Sequence, residues 1–186
     1  MNKQTDLSKY DNSAYQPGKN AFIRFLWYLT NVLFFINPLN PVSSLKVFLL
    51  RLFGAQIGKG VVIKPSVNIK YPWRLKIGDY SWIGENTWID NLADVEIGKN
   101  CCLSQGAMLL CGNHNYKSSG FDLITEKIIL EDGVWIGAKA VVSPGVHCKS
   151  HLVLSVNSVL TEKNTEAYMI YSGNPAKAIR ERKINV

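Results

Sequence analysis

Between residues 57 and 160, aliphatic residues recur six positions apart in runs that are separated by short insertions and by one longer interruption. Three such hexapeptides make one unit, and the first units repeat at 20 residues because two residues are inserted at one corner. Internal periodicity of this kind indicates a repeat architecture. The recurring residues are Ile57, Ile63, Ile69, Ile77, Ile83, Ile89, Ile97, Leu103, Leu109, Leu130, Ile136, Val142, Cys148, Leu154 and Leu160.

A second column of small or β-branched residues lies four positions after the first, as in Val61, Thr87 and Ala107. It precedes the next aliphatic residue by two positions, and residues two apart on a strand face the same side. Each hexapeptide is therefore predicted to be a short strand followed by a corner. The recurrent Ile-Gly pair suits such a corner because glycine tolerates unusual backbone angles. Three strands per turn predict a triangular parallel β-helix of about five coils, with Cys101 and Cys148 in its wall.

The repeat opens once, between Leu109 and Leu130, where "CGNHNYKSSGFDLITEK" is polar and aperiodic. We expect residues 112–128 to leave the prism as a loop. His114 lies near the start of this loop. From the residues alone it could be an ordinary surface histidine or a catalytic group.

The first 54 residues have a different pattern, which predicts an arm and a helical cap. Residues 20–53 have helical apolar spacing, and "NPLNP" (37–41) divides them because proline ends helices. The stretch "FIRFLWYLTNVLFFI" (22–36) is shorter than the roughly 20 residues of a transmembrane helix, so it is expected to be buried or to lie at a membrane surface. The β-helix is assigned to 55–165, and a strand and a short helix are expected in the tail, 166–186.

Composition narrows the function classes. A chain of 186 residues with 47% hydrophobic residues fits one globular domain. The net charge of +7 is accompanied by no run of five basic residues and no nucleic-acid-binding motif, so a nucleic-acid partner is not expected. The clearest basic cluster, at 177–183, could be a solvated tail. No CxxC pair or signal peptide is visible, which indicates a cytoplasmic protein.

Residues 57–182 resemble the hexapeptide-repeat acyltransferases. The resemblance rests on the Ile-Gly repeats, the histidine loop, "DGVWIGAKAVVSPGV" (132–146) and "SGNPAKAIR" (172–180). Within that family the chain is most similar to the O-acetyltransferases of colanic acid and other exopolysaccharides, through "LNPVSSLKVFLLRLFGAQIGKGVVIKP", "YPWRLKIGDYSWIGE", "GNHNY" and "FDLIT". The resemblance implies a left-handed parallel β-helix, a handedness that periodicity cannot give.

The resemblance also implies an activity. Acetyl-CoA would be the acetyl donor, no metal would be needed, and the acceptor would be a hydroxyl of a sugar or a lipid-linked glycan. A homotrimer would hold each site in a groove between subunits, and the enzyme could meet the inner face of the cytoplasmic membrane. His114 matches the catalytic base. Asn91 matches an asparagine that contacts substrate, although an ordinary corner asparagine is an equal reading, and Asp90 and Asp122 could orient His114 or bind sugar hydroxyls.

Several further residues match the family's contacts to acetyl-CoA. Trp135 would line the pantetheine channel, and the guanidinium of Arg180 suits a phosphate. Glu162 stands where the family usually has a lysine, which places the usual phosphate contact in question. The full set of expected acetyl-CoA contacts is Trp135, Ala138, Ser155, Thr161, Lys163, Lys177 and Arg180.

Two other functions are compatible with a β-helix. Gamma-class carbonic anhydrases share this fold and hold zinc with three histidines, and this chain has three: His114, His147 and His151. Trp135 and "GNPAKAIR" would then be unexplained, and His147 and His151 fall outside the core columns, where surface positions are expected. A non-catalytic β-helix scaffold is the second alternative.

Overall fold

A computed structural model describes residues 4–185, and most of them form a parallel β-helix with three faces. Sheet A stacks β1 (Gln56–Ile57), β4 (Leu75–Ile77), β7 (Val95–Ile97), β12 (Ile128–Leu130) and β15 (His147–Cys148). Sheet B stacks β2 (Val62–Ile63), β5 (Trp82–Ile83), β8 (Cys102–Leu103), β13 (Trp135–Ile136), β16 (Val153–Leu154), β18 (Met169–Gly173) and β19 (Ala176–Glu181). Sheet C stacks β3 (Asn68–Ile69), β6 (Trp88–Asp90), β9 (Met108–Leu110), β14 (Val141–Val142) and β17 (Val159–Leu160).

The strands stack in the register that the sequence period predicts. In sheet B, Ile63 pairs with Ile83, Ile83 with Leu103, and Leu103 with Ile136. The aliphatic column is buried, and so are Cys101 and Cys148, as expected. The sequence pattern also places Trp73 in the second inward column, four positions after Ile69, and this prediction was wrong because of the two-residue insertion. Trp73 lies in a short 3-10 turn, Pro72–Arg74, and Leu75 takes the inward position instead.

The glycine that directly follows an aliphatic core residue is not needed for its tolerance of unusual backbone angles, which was the expected reason. A Cβ added to Gly84 would lie 2.7 Å from the Leu103 carbonyl oxygen of the next coil, and one on Gly137 would lie 2.6 Å from that of Leu154. The left-handed backbone occurs two residues later, for example at Asn86 and Lys139 with φ of 59° and 56°. Close stacking of the coils, and not backbone freedom, therefore selects glycine after the aliphatic residue.

Two helices cover the open end of the first coil. They are α1 (Ala21–Thr30), which continues as a π-helical turn (Asn31–Ile36), and α2 (Ser43–Leu52). Residues 37–42 separate them, as the proline pattern predicts. Trp27, Asn31 and Phe35 follow helical spacing of four and form the buried side of the first segment.

Side chains of these helices bond to the strand edge that no further coil covers. The Trp27 indole donates to the Ile69 carbonyl at 2.9 Å, and the Arg51 guanidinium donates to the Ile57 carbonyl at 2.8 Å. The fully buried Lys46 donates to the Lys64 carbonyl at 2.8 Å, and burial lowers its pKa. An exposed strand edge is a template for further pairing, so these bonds close it.

The other end of the prism is closed by a β-hairpin. β18 adds to β16 in parallel, and β19 pairs with β18 in antiparallel orientation. Tyr171, 1% exposed, is directed into the core beneath them. The prediction of a short helix in the tail was wrong. Residues Ala176–Glu181 form a strand, which pairs with β18.

The excursion departs between sheet C and sheet A. It leaves after β9 and returns at β12, and it contains the antiparallel hairpin of β10 (Gly112–His114) and β11 (Leu123–Thr125). The N-terminal arm, defined here as residues 6–17, lies against it. The Asp6 amide donates to the Ser119 carbonyl at 2.8 Å.

Candidate active site

The His114 imidazole has a fixed orientation. It lies at the end of β10, stacked on the Phe121 ring with centroids 4.4 Å apart and planes inclined by 8°. Its Nδ1 is 2.8 Å from the Phe121 carbonyl oxygen. A carbonyl only accepts hydrogen bonds, so Nδ1 carries the proton and Nε2 presents its lone pair. The ring is thus arranged as a base at Nε2.

A cavity of about 560 Å³, the His114 cleft, lies beside this ring. The arm supplies one wall, where the Tyr10 ring lies 5.9 Å from His114 and the Tyr15 hydroxyl donates to the Leu92 carbonyl at 2.7 Å. Burial raises the Tyr15 pKa to about 12. The lining residues are Tyr10, Asn12, Ser13, Tyr15, Pro17, Arg24, Lys70, Tyr71, Leu92, His114 and Leu123. Aromatic faces with hydroxyl and amide groups suit a saccharide.

The three polar residues expected to bind substrate have different surroundings. Asn91 is fully buried, and its amide bonds to both the amide and the carbonyl of Tyr71, which fits the corner reading. Asp90 lies 3.4 Å from Lys70 Nζ. Within residues 4–185, the ring of His114 is hydrogen bonded by neither Asp90 nor Asp122; the Phe121 carbonyl orients it.

Sheet B presents a row of outward side chains that contains two expected acetyl-CoA contacts. Trp135 pairs with Val153, Val153 with Ile170, and Ile170 with Arg180. Strands about 4.8 Å apart place Trp135 and Arg180 about 14 Å apart on one face. Trp135 is 45% exposed, and its indole donates to the Ser104 hydroxyl at 2.9 Å.

Other expected contacts lie near this row. Lys177 lies on β19 and pairs with Ser172 of β18, and the Ser155 amide donates to the Tyr171 carbonyl at 2.8 Å. Ala138 follows β13 and its carbonyl accepts from Asn157. Lys177 and Arg180 are both exposed.

Thr161 and Lys163 lie apart from the row on sheet B. They follow β17, and Lys163 is ion paired with Glu126 at the end of the excursion. Arg182, in the basic tail, donates to the carbonyls of Gly133 and His151 and holds β19 in place. Arg180 and Lys177 are therefore the cations of the tail that face solvent from sheet B.

His114 and this row lie on opposite sides of one prism. The excursion with His114 emerges at the edge between sheets C and A, whereas Trp135 is on sheet B. In a triangular prism that edge is opposite sheet B. One chain therefore brings His114 to the His114 cleft, but it does not bring His114 to the row of expected acetyl-CoA contacts.

The other two histidines are structural. His147 Nε2 lies 2.7 Å from Glu131 Oε1 in sheet A, and the His151 ring stacks on Tyr168. Among residues 4–185 no three His, Cys, Asp or Glu side chains are placed to bind a metal. The zinc alternative thus has no support in the structure. Burial raises the pKa of the Cys101 thiol to about 11 and of Cys111 to about 12, as for inert wall residues.

Comparison with known proteins identifies the family. No family model matches the chain. The chain is 36% identical over 177 residues to the colanic acid biosynthesis acetyltransferase WcaF of Escherichia coli K12, with 95% of this chain and 97% of that protein covered. The protein belongs to the hexapeptide-repeat acetyltransferases. A scaffold without activity is therefore not supported by its relatives.

Solved structures of that family share the fold. A hexapeptide-repeat acetyltransferase of Vibrio cholerae, complexed with acetyl coenzyme A, superposes with a TM-score of 0.78 at 20% identity and covers 88% of each chain. A maltose O-acetyltransferase of Clostridium difficile 630 has a TM-score of 0.73 at 21% identity and covers 98% of this chain and all of its own. The hexapeptide-repeat acetyltransferase fold thus extends over nearly the whole protein.

Sequence reasoning missed two parts of the site. The Phe121 carbonyl that fixes the His114 tautomer has no signal in the sequence because any residue supplies a carbonyl. The arm was expected only as an appendage, yet Tyr10 and Tyr15 line the His114 cleft. Its two tyrosines were the available signal, since polar tails rarely need large aromatic residues.

Proposed function

We propose that this hexapeptide-repeat acetyltransferase moves the acetyl group of acetyl-CoA to a hydroxyl of a saccharide, in exopolysaccharide synthesis. The observation that carries the proposal is the tautomer of His114. Its Nε2 has no hydrogen-bond partner among residues 4–185, and the ring lines a cleft with aromatic and hydroxyl groups. The names of the relatives support the same chemistry. WcaF is named for colanic acid biosynthesis, and the Clostridium protein is a maltose O-acetyltransferase.

His114 supplies the proton transfer that a neutral sugar hydroxyl requires. Nε2 accepts the hydroxyl proton as the oxygen attacks, and the Phe121 carbonyl stabilises the imidazolium through Nδ1–H. The same nitrogen returns the proton to the departing thiolate. Acetyl-CoA supplies an activated thioester, and Trp135 and Arg180 would hold it along sheet B, where an aromatic face and a cation suit pantetheine and phosphate.

A complete site requires a second copy of the chain, and we propose the homotrimer that the resemblance implies. Its support is the position of His114 opposite sheet B, together with exposed tryptophans on the lateral faces. Trp82, Trp88 and Trp135 are 57%, 39% and 45% exposed in the single chain. Large exposed aromatics are typical of buried subunit interfaces.

Substitution of His114 tests the chemistry. We expect His114→Ala to retain acetyl-CoA binding and to lose roughly 10²–10⁴-fold in transfer rate, as for loss of a general base. Labelled acetyl-CoA and a panel of saccharide acceptors measure the rate, and calorimetry measures binding. His147→Ala is the matched control because it removes a histidine distant from the cleft. Near-normal turnover by His114→Ala would refute the proposal.

We further propose that the protein meets the membrane through the exposed side of α1 and the π-helical turn, where a lipid-linked acceptor would be found. Among residues 4–185, every helix falls short of the length and apolarity needed to cross a bilayer. Phe22, Phe25 and Leu33 are nevertheless 67%, 56% and 58% exposed. Exposed apolar side chains on a helix with basic neighbours are typical of interfacial binding.

Liposome flotation tests this contact. The full chain is expected to float with anionic liposomes, and a Phe22→Ser, Phe25→Ser, Leu33→Ser variant is expected to remain in the dense fraction. Point variants are preferable to removal of residues 1–36, since Trp27 and Asn31 bond to the first coil. If the variant floats as well as the wild type, or neither floats, this helix is not the contact.

A further inference from the structure

Two cavities of the protein share one wall. The His114 cleft adjoins a second cavity of about 360 Å³, named here the apolar groove. The groove runs between the first helical segment and sheet C. Arg24, Lys70 and Tyr71 line both cavities, and the remaining residues of the groove are Trp27, Tyr28, Asn31, Ile36, Asn68 and Trp88.

Arg24 is incompletely bonded within the described chain. Its Nε is buried and has no hydrogen-bond partner among residues 4–185, and the guanidinium forms no ion pair there. A buried, unpaired cationic donor is unfavourable, since its hydration is lost without replacement. A ligand that accepts hydrogen bonds would satisfy it, and the guanidinium fork fits a phosphate group in particular.

Lys70 adds a second positive charge at the same wall. Its Nζ lies 3.4 Å from Asp90 Oδ1, and that oxygen is itself buried without a hydrogen bond. The Lys70 side chain is still 43% exposed. Asp90 pairs with Lys70, and within residues 4–185 Arg24 has no carboxylate partner, so the shared wall keeps a net positive charge.

The groove beyond these cations offers an apolar surface. The residues that provide most of it are Trp27, Tyr28, Ile36 and Trp88, and Tyr28 is 62% exposed. The two amide side chains of the groove already bond to each other, with Asn31 Nδ2 donating to Asn68 Oδ1 at 2.8 Å. Few free partners are left for a polar ligand.

We propose that Arg24 and Lys70 bind the diphosphate of the acceptor, with its saccharide in the His114 cleft and its lipid chain in the apolar groove. The proposal rests on the proposed function and names its substrate class, a saccharide on a lipid diphosphate. A nucleoside-diphosphate sugar shares the diphosphate. However, its base and ribose would bring hydrogen-bonding groups into a groove that does not satisfy them.

Binding of simple probes to the full chain tests the subsite without any acetyl donor. Calorimetry would compare farnesyl diphosphate, farnesol, inorganic pyrophosphate and UDP on the wild type. Farnesyl diphosphate is expected to bind at least tenfold more tightly than any of the other three, because only it fills both the cationic wall and the groove.

Variants then assign the contributions. Arg24→Gln should weaken farnesyl diphosphate roughly tenfold or more, as expected for loss of a charge-assisted hydrogen bond. Tyr28→Ser should weaken farnesyl diphosphate and leave pyrophosphate unchanged. Lys99→Gln, which removes a charge outside both cavities, should change neither, and His114→Ala should bind like the wild type. Circular dichroism and sedimentation would confirm that each variant remains folded and assembled.

Two results would overturn the proposal. If UDP binds as tightly as farnesyl diphosphate and Tyr28→Ser has no effect, the groove does not hold a lipid. If a folded Arg24→Gln binds farnesyl diphosphate like the wild type, the cationic subsite is wrong. Both results are independent of acetyl transfer, so an active enzyme could still fail this test, and an inactive one could pass it.

Discussion

Single side chains hold the coils of this protein together at sites that carry no catalytic role. Glu131, directly after β12, accepts hydrogen bonds from the hydroxyl and the amide of Ser150 at 2.7 and 2.9 Å and lies 3.1 Å from Lys149 Nζ. The Ser150 hydroxyl is the main cause of a Glu131 pKa lowered to about 2, with Lys149 and His147 adding to it. The ionised carboxylate thus joins the fourth coil to the fifth.

This clamp predicts an acid-dependent loss of stability. A carboxyl whose folded pKa is lowered stabilises the fold above its unfolded pKa of 4.5 and loses that contribution as the pH falls toward 2. Urea midpoints of the wild type should therefore fall more between pH 6 and pH 3 than those of Glu131→Gln. Glu96→Gln, in an exposed pair with Lys76 on the same sheet, is the control and should follow the wild type. Parallel behaviour of wild type and Glu131→Gln would contradict the role.

Residue roles that depend on chemistry could be inferred from the sequence, whereas those that depend on folded geometry could not. The loop position of His114 and the outward position of Trp135 follow from the period, and the structure places both there. The pairing of Asn91 with the Tyr71 backbone was one of two equal readings, because a corner asparagine and a substrate contact look alike in sequence.

At the scale of the elements, each corner of the β-helix has two separate structural requirements, which the sequence pattern alone does not distinguish. The glycine after the aliphatic residue keeps the coils close, and the residue two positions later adopts the left-handed backbone. The period predicted every strand of the prism, since strands need only alternation. It failed for the tail because "AKAIRERK" has helical composition but pairs with β18.

The corner of the fourth coil can separate the two requirements. Gly137→Ala places a Cβ 2.6 Å from the Leu154 carbonyl oxygen and 2.7 Å from the Val156 amide, so we expect a loss of about 1–3 kcal/mol from overpacking. Lys139→Gly removes a side chain at a φ of 56° and should stabilise by up to about 1 kcal/mol. Thermal or urea unfolding measures both. Equal effects of the same sign would show that one requirement governs the corner.

At the scale of the whole molecule, the position of His114 opposite sheet B predicts complementation between subunits. His114→Ala and Trp135→Ala each impair a different half of the proposed intersubunit site. When the two are unfolded together and refolded as an equal mixture, about one interface in four combines an intact histidine with an intact tryptophan. We therefore expect about a quarter of wild-type activity from two nearly inactive proteins. Recovery no greater than the sum of the separate variants would place the site within one chain.

The helical cap on the first coil has a consequence for solubility. The bonds from Trp27, Lys46 and Arg51 occupy strand-edge groups that would otherwise meet another strand. The prism has the same triangular section at every coil, so an uncovered end would match the end of any other copy. Removal of residues 1–54 should therefore let two copies pair through their uncovered first coils. Pairing should stop there because the β18–β19 hairpin still closes the other end, and sedimentation would reveal the doubled assembly. The cap thus prevents the first coil from pairing with a second copy of the chain.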